Sequence, residues 1–231
     1  IINYQLENTL PDGTWYWKVT AVDTAGNESE IVGYKYFIID SVAPDEKPTS
    51  LQPENGDTLA DNTPTLSWAA VSEASGYEVR YALDENFTEN LNINYVGGTS
   101  YTLLETPDNL WYWRVRARDN AWNWGPWSQT QYFRIDTSVN ISTLLSPDDL
   151  IVIDDNDPLL QWTAVTDNSG VTYRVQVDND EGFSSPEYDR PGLTENQHIL
   201  ENALTDGKWH WRVATVDGVG NIGWSDNRSF Y

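Results

Sequence analysis

The sequence predicts an all-β protein built from tandem two-sheet sandwiches. A strand motif rich in aromatic residues occurs three times, at residues 15–23, 111–119 and 209–217. In the middle copy Trp111 and Trp113 fall on one face, whereas Arg114 and Arg116 fall on the other, as in a strand with one buried face. No window of helical length keeps a 3.6-residue apolar period, so no helices are expected.

The spacing of the motif gives the size of the repeating unit. Trp15 and Trp111 are 96 positions apart, and Trp111 and Trp209 are 98 positions apart. A period this long indicates a whole domain, because solenoid repeats have periods of roughly 20–50 residues. We therefore predict three segments: residues 1–44, the C-terminal part of a first domain truncated at its N-terminus; residues 45–138, a complete second domain; and residues 139–231, a third domain.

Short runs of β-branched and aromatic residues between turn-forming residues predict the strands. In the first segment they are residues 15–23 and 32–39. In the second they are residues 65–68, 77–81, 91–96, 100–104, 111–118 and 130–135. In the third they are residues 159–162, 171–178, 196–200, 208–217 and 228–231. Short strands at this spacing are typical of a sandwich of two antiparallel sheets.

The tryptophans on the inward faces of these strands are expected to form the cores. A tryptophan buries about 150–250 Å², which matters in a chain that has no cysteine and hence no disulfide. The predicted core tryptophans are Trp15, Trp17, Trp68, Trp111, Trp113, Trp162, Trp209 and Trp211.

Charge excludes several classes of partner. The chain has 13 Lys and Arg against 36 Asp and Glu, a formal net charge of −23. Such acidity disfavours nucleic acid and anionic membrane surfaces, and no apolar run reaches the roughly 18 residues of a membrane-spanning helix. Two interpretations of the acidity remain open: solubility in an extracellular or salty medium, and carboxylates that gather Ca²⁺.

Several local patterns resemble a known family. Leu66-Ser67-Trp68, Pro107 four residues before Trp111, and Gly125-Pro126-Trp127-Ser128 resemble the fibronectin type III pattern. The linker 37–44 is similar to linkers in tandem Ig-like repeats of bacterial and archaeal surface proteins. The resemblance implies a fibronectin type III-like or Ig-like fold and a secreted or cell-surface location in a prokaryote. Trp111 departs from the family, because it replaces the tyrosine usual at this corner.

The outer face of the second segment is the candidate ligand or partner face. In a structural interpretation, tryptophans interleave with arginine guanidinium groups in a cation–π ladder. In a functional one, Trp122 and Trp124 at a hairpin tip form an aromatic platform for a sugar or a partner protein. The residues of this face are Tyr112, Arg114, Arg116, Arg118, Trp122, Trp124 and Trp127.

The turn after each copy of the motif carries Asp-x-x-x-Asn, at residues 23–27, 119–123 and 217–221. Asp and Asn side chains stabilise tight turns by bonding their own backbone. Alternatively, the turns and the linker aspartates bind Ca²⁺ at the joints between domains, since such sites need several oxygen ligands. The candidate metal ligands are Asp23, Asp40, Asp119 and Asp136.

The sequence does not favour catalysis. His198 and His210 are the two histidines, and no zinc pattern, nucleophile elbow, phosphate-binding loop or dinucleotide-binding loop is present. We therefore predict no enzymatic activity and no cofactor other than Ca²⁺. Asn-x-Ser/Thr sequences, which would be glycan sites in an exported protein, occur at Asn27, Asn86, Asn140 and Asn227.

Two functions are consistent with these observations. In the first, the chain is a structural or adhesive segment of an extracellular surface protein or filament, and its partners are other copies or other domains of that protein. In the second, the sandwiches are accessory modules of a larger secreted enzyme or adhesin and bind carbohydrate through the aromatic face. Because one sandwich fold serves many roles, the fold does not choose between the two.

Overall fold

A computed structural model describes residues 4–31 and 33–231. The described residues form strands, turns and irregular segments without any helix, which confirms the all-β prediction. No helix suited to crossing a membrane occurs among them. The strands are β1 (Gly13–Trp17), β2 (Lys35–Ile39), β3 (Asp57–Leu59), β4 (Thr65–Ser67), β5 (Gly76–Ala82), β6 (Asn92–Val96), β7 (Ser100–Thr102), β8 (Asn109–Arg118), β9 (Trp124–Trp127), β10 (Gln131–Ile135), β11 (Leu144–Ser146), β12 (Leu159–Trp162), β13 (Val171–Asp178), β14 (Tyr188–Leu193), β15 (Gln197–Ile199), β16 (Trp209–Asp217), β17 (Ile222–Trp224) and β18 (Arg228–Phe230).

The chain divides into two compact units. One comprises the described residues of Ile1–Pro53, Thr65–Tyr101 and Tyr112–Gln131, and the other comprises Glu54–Pro64, Thr102–Trp111 and Tyr132–Tyr231. Residues 45–138 are thus shared between the units. The sequence-based boundaries after residues 44 and 138 stay predictions.

In the first segment β1 and β2 form an antiparallel pair with Trp15 opposite Phe37. The prediction for β1 was too long: the strand ends at Trp17, and Val22 makes only an isolated bridge. Trp17 is 50% exposed, so its assignment to a core was wrong. The physical reason is that β1 and β2 form a two-stranded sheet by themselves. The predicted start of the second strand, Val32, lies outside the described residues.

Residues 45–138 contain two sheets. The larger has the order β3-β10-β8-β5-β6, with β9 also paired to β8, and the smaller pairs β4 with β7. Trp68, next to β4, meets Tyr77 of β5 edge to face at 5.3 Å between ring centroids. The hydroxyl of Tyr77 in turn accepts the backbone N–H of Val71 at 3.0 Å. Through these contacts the two sheets pack together around buried aromatic side chains.

The third segment repeats this plan. One sheet has the order β11-β12-β15, and the other has the order β14-β13-β16-β17, with β18 also paired to β16. Trp162 meets Tyr173 at 5.5 Å, and the Tyr173 hydroxyl accepts the N–H of Val165 at 3.1 Å. Side chains from both sheets, including Leu160 and Trp211, form one buried core. A core between two antiparallel sheets is that of a β-sandwich.

A tryptophan corner occurs in all three segments. The indole Nε1 of Trp15 donates to the carbonyl of Pro11 at 2.9 Å, and Trp111 does the same to Pro107 at 3.1 Å. Trp209 donates to Thr205 at 2.8 Å. The indole N–H therefore supplies the bond that a tyrosine hydroxyl would make, which explains how the chain dispenses with tyrosine at this corner.

Candidate functional site

The outer face of the larger sheet in residues 45–138 carries a continuous stack of arginine and aromatic side chains, the ladder. Its arginines come from β5 and β8, and its aromatic rings come from β9, the turn before it and the loop after β5. The distances from guanidinium carbon to ring centroid are 4.2 Å for Arg114 over Phe87, 4.5 Å for Arg114 over Trp127, 4.9 Å for Arg80 over Trp127, 4.6 Å for Arg116 over both Trp127 and Trp124, and 3.7 Å for Arg118 over Trp122. All are within the roughly 6 Å of a cation–π contact.

A single buried carboxylate anchors the ladder from below. Glu78 of β5 is 1% exposed. Its Oε1 accepts Nε of Arg80 at 2.6 Å, and its Oε2 accepts two guanidinium nitrogens of Arg116 at 2.9 and 2.6 Å. Buried charges need such partners, because an unpaired carboxylate away from water is costly. Neither Glu78 nor Arg80 belonged to the predicted site, although their alternation along β5 is visible in the sequence.

Crowding of like charges affects the middle of the ladder. Burial, followed by the charges of Arg80 and Arg116, lowers the pKa of Arg114, while Glu78 acts in the opposite direction. The Nε atom of Arg114 is buried without a hydrogen-bond partner. The face therefore concentrates positive charge on a chain whose net charge is −23.

The structure brings together the predicted members of this face. Arg114, Arg116 and Arg118 project from β8 beside Trp124 and Trp127, and Tyr112 occupies the same face of β8, opposite Ala82 of β5. Trp124 is not at a hairpin tip, because it begins β9 opposite Arg118. Trp122 lies in the turn, is 63% exposed and has a backbone φ of 70°. Its role in binding a ligand or partner stays a prediction.

The third segment has a short version of the ladder that the sequence reasoning missed. Arg212 stacks on Phe183 at 4.2 Å and on Trp224 at 4.1 Å, as Arg114 stacks on Phe87 and Trp127. Two guanidinium nitrogens of Arg212 donate to Oε1 of Gln176. The serine after each closing tryptophan, Ser128 or Ser225, binds the neighbouring strand through its hydroxyl and its N–H.

The linker at residues 40–44 is held on both sides. On one side the hydroxyl and N–H of Ser41 donate to the carboxylate of Asp12 at 2.9 and 3.1 Å. On the other side Nδ2 of Asn123 donates to the carbonyl of Asp40 at 2.9 Å. A Cβ on Gly125 would lie 2.5 Å from the carbonyl oxygen of Pro44. The linker backbone therefore packs directly against this glycine.

The linker at residues 136–141 has the same arrangement. The hydroxyl and N–H of Thr137 donate to Asp108 at 2.8 and 3.0 Å, and Nδ2 of Asn221 donates to the carbonyl of Asp136 at 2.9 Å. A Cβ on Gly223 would overlap a methyl group of Ile141. Each linker is thus clamped by an aspartate before it and an asparagine turn after it.

The four candidate calcium ligands differ in their hydrogen bonds and surroundings. The Asp23 carboxylate accepts the side-chain and backbone N–H groups of Asn27, which lower its pKa. Burial acts to raise the pKa of Asp119, but bonds from Asn123 outweigh it and the pKa is lowered. The Asp40 carboxylate accepts the N–H of Val42. These three aspartates stabilise local backbone, as in the turn-capping interpretation.

Asp136 is the exception. Among the described residues, it forms with Asp167 and Asp217 the one set of three acidic or histidine side chains whose ligand atoms lie within 4.8 Å of one another. Burial, followed by the charges of Asp167, Asp217 and then Asp108, raises the pKa of Asp136. Asp167 was not predicted, although it begins the turn Asp-Asn-Ser-Gly ahead of β13. Oxygen ligands at this spacing suit a hard cation.

No protein-family model matches the sequence, and no curated protein matches it. Among solved structures, the chicken CNTN1 FN1-FN3 domains are 15% identical with a TM-score of 0.44, covering 93% of this chain and 75% of that one. The Clostridium thermocellum CbhA fibronectin(III)-like modules are 11% identical with a TM-score of 0.40, covering 78% and 90%.

The fold is that of tandem fibronectin type III-like repeats. The strand orders support this assignment, since β11-β12-β15 faces β14-β13-β16-β17 as the two sheets of such a sandwich. The predicted fold class is therefore confirmed, and the predicted resemblance is confirmed at the level of the fold.

Proposed function

We propose that the chain is a non-enzymatic structural segment of an extracellular surface protein, in which tandem sandwiches joined by clamped linkers act as a spacer or scaffold. The observation that carries the proposal is the repeated clamp, Asp12 to Ser41 with Asn123 to Asp40, and Asp108 to Thr137 with Asn221 to Asp136. A flexible connection would need neither set of bonds.

The glycines of the clamp support this proposal. At Gly125 any side chain would meet the backbone of Pro44, and backbone cannot move aside as a flexible side chain can. The close approach of the linker therefore depends on glycine at this position. The proposal includes that the protein comes from a prokaryote and that it is secreted or displayed on the cell surface.

The test compares Gly125→Ala with Gly97→Ala. Gly97 has nothing within 4 Å of its Cβ position, so its variant controls for an added methyl group. We expect small-angle scattering to show a wider range of dimensions for Gly125→Ala, with linker 40–44 cleaved faster by protease, and no change for Gly97→Ala. Equal behaviour of the two variants and the wild type would remove the support for a clamped joint.

Neither histidine has the setting of a catalytic base, which supports the non-enzymatic part of the proposal. His198 faces the hydroxyl of Tyr188 at 2.5 Å, and burial lowers its pKa. His210 is buried opposite Asp178 in the β13–β16 pair. Tyr188 is itself held at a raised pKa by burial, so it is a poor nucleophile at neutral pH.

Carbohydrate binding as an accessory module is the second candidate function. The exposed indole of Trp122 favours it, because its ring stacks on Arg118 and the side chain is largely open to solvent. Against it, Trp124 and Trp127 are half-buried within the ladder. A glycan array distinguishes the candidates: signals present for the wild type and absent for Trp122→Gly would establish sugar binding.

We propose in addition that Ca²⁺ stiffens the second linker at Asp136, Asp167 and Asp217. The three carboxylates would supply oxygen ligands beside the linker backbone. Adding Ca²⁺ to protein freed of metal by a chelator should raise the melting temperature, and Asp136→Asn should abolish the rise. An unchanged melting temperature in the wild type would sink the proposal while leaving the hydrogen-bonded clamp intact.

A further inference from the structure

Trp122 occupies a backbone position that the other two repeats give to glycine. Its φ is 70°, and the corresponding glycines, Gly26 and Gly220, have φ values of 84° and 95°. All three donate their N–H to the aspartate that begins the turn. A left-handed backbone is rare for a bulky side chain, because the Cβ crowds the following carbonyl. The backbone at Trp122 is therefore strained, and the side chain is 63% exposed to solvent.

Leu150 shows the same anomaly in the third segment. Its φ is 62°, and its counterpart in residues 45–138 is Gly56, with a φ of 89°. The two positions correspond because Gly56 donates its N–H to Tyr132 and Leu150 donates to Ser229. Leu150 is 58% exposed. Strain at an exposed apolar side chain marks a position that something other than folding requires.

The surroundings of these two residues are opposite in charge. Trp122 belongs to the ladder, where Glu78 is the one carboxylate that, among the described residues, forms ion pairs with its four arginines, and it pairs with Arg80 and Arg116 alone. Leu150 lies in a loop, residues 148–155, that contains Asp148, Asp149, Asp154 and Asp155 and the exposed Ile151 and Val152. The cation recorded beside this loop is Arg228, 3.6 Å from Asp148.

We propose that the ladder face of one copy binds the 148–155 loop of a second copy. In this contact Trp122 packs against Leu150, and the guanidinium group of Arg118, beneath Trp122, faces the aspartates of the loop. The loop is ready to bind, because Leu150 and Ile153 are hydrogen-bonded to the last strand region and Asp149 accepts the N–H of Ser229. A rigid loop loses little conformational freedom on binding.

The two surfaces are different, so the contact is heterologous. Each copy offers one ladder face and one loop, and repeated contacts give a ring or an open-ended assembly. The inference rests on the proposed structural role, for which such an assembly is suited. The net charge of −23 opposes association at low salt, but at about 0.15 M salt the Debye length is about 8 Å, and only the contacting charges remain effective.

The test uses Trp122→Gly and Leu150→Gly on the whole chain. Glycine is the residue that sister repeats have at these positions, so both variants should melt at or above the wild-type temperature. Sedimentation at about 0.15 M salt should show concentration-dependent association of the wild type, weakened roughly 30-fold in each variant, as for an interface hot spot. At concentrations where either variant alone stays monomeric, an equimolar mixture of the two should form dimers and no larger species, because each mixed pair retains one intact contact.

Other outcomes would overturn the inference. A wild type that stays monomeric at about 1 mM, a concentration where contacts worth about 4 kcal/mol are half-formed, contradicts it. So does association that both variants retain, or association lost on Trp17→Gln, which would place the contact on β1 and β2. A monomer that binds sugars through Trp122 would assign the anchor to carbohydrate. The scattering comparison of Gly125→Ala is independent, so the spacer proposal can survive such a failure.

Discussion

The second and third segments have the same buried core and different outer faces. Inside, Trp68 on Tyr77 in one matches Trp162 on Tyr173 in the other. Outside, four arginines of the second segment stack on four aromatic rings, whereas in the third segment Arg212 is the one arginine, among the described residues, that stacks on aromatic rings, and it lies between two of them.

The substitutions behind this difference lie along one strand. Arg116 and Arg118 of β8 correspond to Ala214 and Val216 of β16. The two arginines pair with Trp127 and Trp124 of β9 across a register shift, whereas the two apolar residues pair with Trp224 and Ile222 of β17 without one. One arginine between two rings is thus the minimum that both repeats keep. The additional arginine–ring contacts of the second segment are not required by the fold, since the third segment lacks them. The last of these contacts involves the exposed Trp122.

The largest expected effect tests the claim that the cores are equivalent. Trp113 and Trp211 are fully buried, and replacing either by alanine should cost about 3–5 kcal/mol of unfolding free energy. Trp17 occupies the same motif position but is half exposed, and Trp17→Ala should stay within about 0.5 kcal/mol. Denaturant titration followed by tryptophan fluorescence measures all three. A comparable cost at Trp17 would show that β1 and β2 are covered in solution.

The second-largest expected effect compares the side chains that hold the arginines of the two ladders, which are Glu78 in the second segment and Gln176 in the third. Glu78→Ala leaves Arg80 and Arg116 without their carboxylate, and because both arginines are partly exposed we expect a loss of about 2–3 kcal/mol, below that of a fully buried pair. Gln176→Ala removes a neutral acceptor from Arg212 and should cost about 1 kcal/mol. The same titration checks both variants. Equal losses would contradict a special role for the charge of Glu78.

A smaller effect compares the closing rings. Trp127 contacts three arginines, whereas Trp224 contacts one. At about 0.5–1 kcal/mol for each exposed cation–π contact, Trp127→Ala should destabilise the protein by about 1 kcal/mol more than Trp224→Ala. Replacing each tryptophan by leucine, which keeps apolar bulk, controls for lost packing. The difference should persist in the leucine pair.

The smallest effect concerns pH and Asp136. Its folded pKa is raised above the ordinary 3.8, so the folded state holds this proton more readily than the unfolded state and the ionised carboxylate lowers stability. In the presence of a chelator, the Asp136→Asn variant should therefore have a higher melting temperature than the wild type at neutral pH. The difference in melting temperature between this variant and the wild type should shrink as the pH falls through the raised pKa of Asp136, and it should vanish below pH 3.8. A gain that is constant with pH would contradict this origin.

The sequence predicted the parts of the fold that repeat. The alternation in Trp111–Arg118 and the spacing of the motif were sufficient for β8 and β16 and for their buried faces. The short strands β3, β9, β11 and β17 were missed because each has only three or four residues and lies among turn-forming residues such as Gly56, Pro126, Pro147 and Asn221. The strand β14 was missed because it contains Pro191 and Gly192, which an edge strand tolerates and which read as a turn.

The candidate sites were predicted only in part, because their remaining residues come from distant stretches of chain. The arginine and tryptophan rungs follow one another along β8 and β9, so the ladder was visible. Glu78 and Phe87 reach it only through the pairing of β5 with β8. The joint of Asp136 with Asn221 spans 85 positions, and no local pattern signals it.

The clamped linker is the central claim, and a distance measurement across the second linker tests it most directly. The chain has no cysteine, so Leu104→Cys and Thr194→Cys, which lie in the same compact unit on opposite sides of the linker, would place two spin labels at unique exposed sites. We predict a single narrow distance distribution in double electron–electron resonance, broadened by Gly223→Val combined with Asn221→Ala. A distribution that is already broad in the wild-type background, and unchanged by those substitutions, would contradict the clamp.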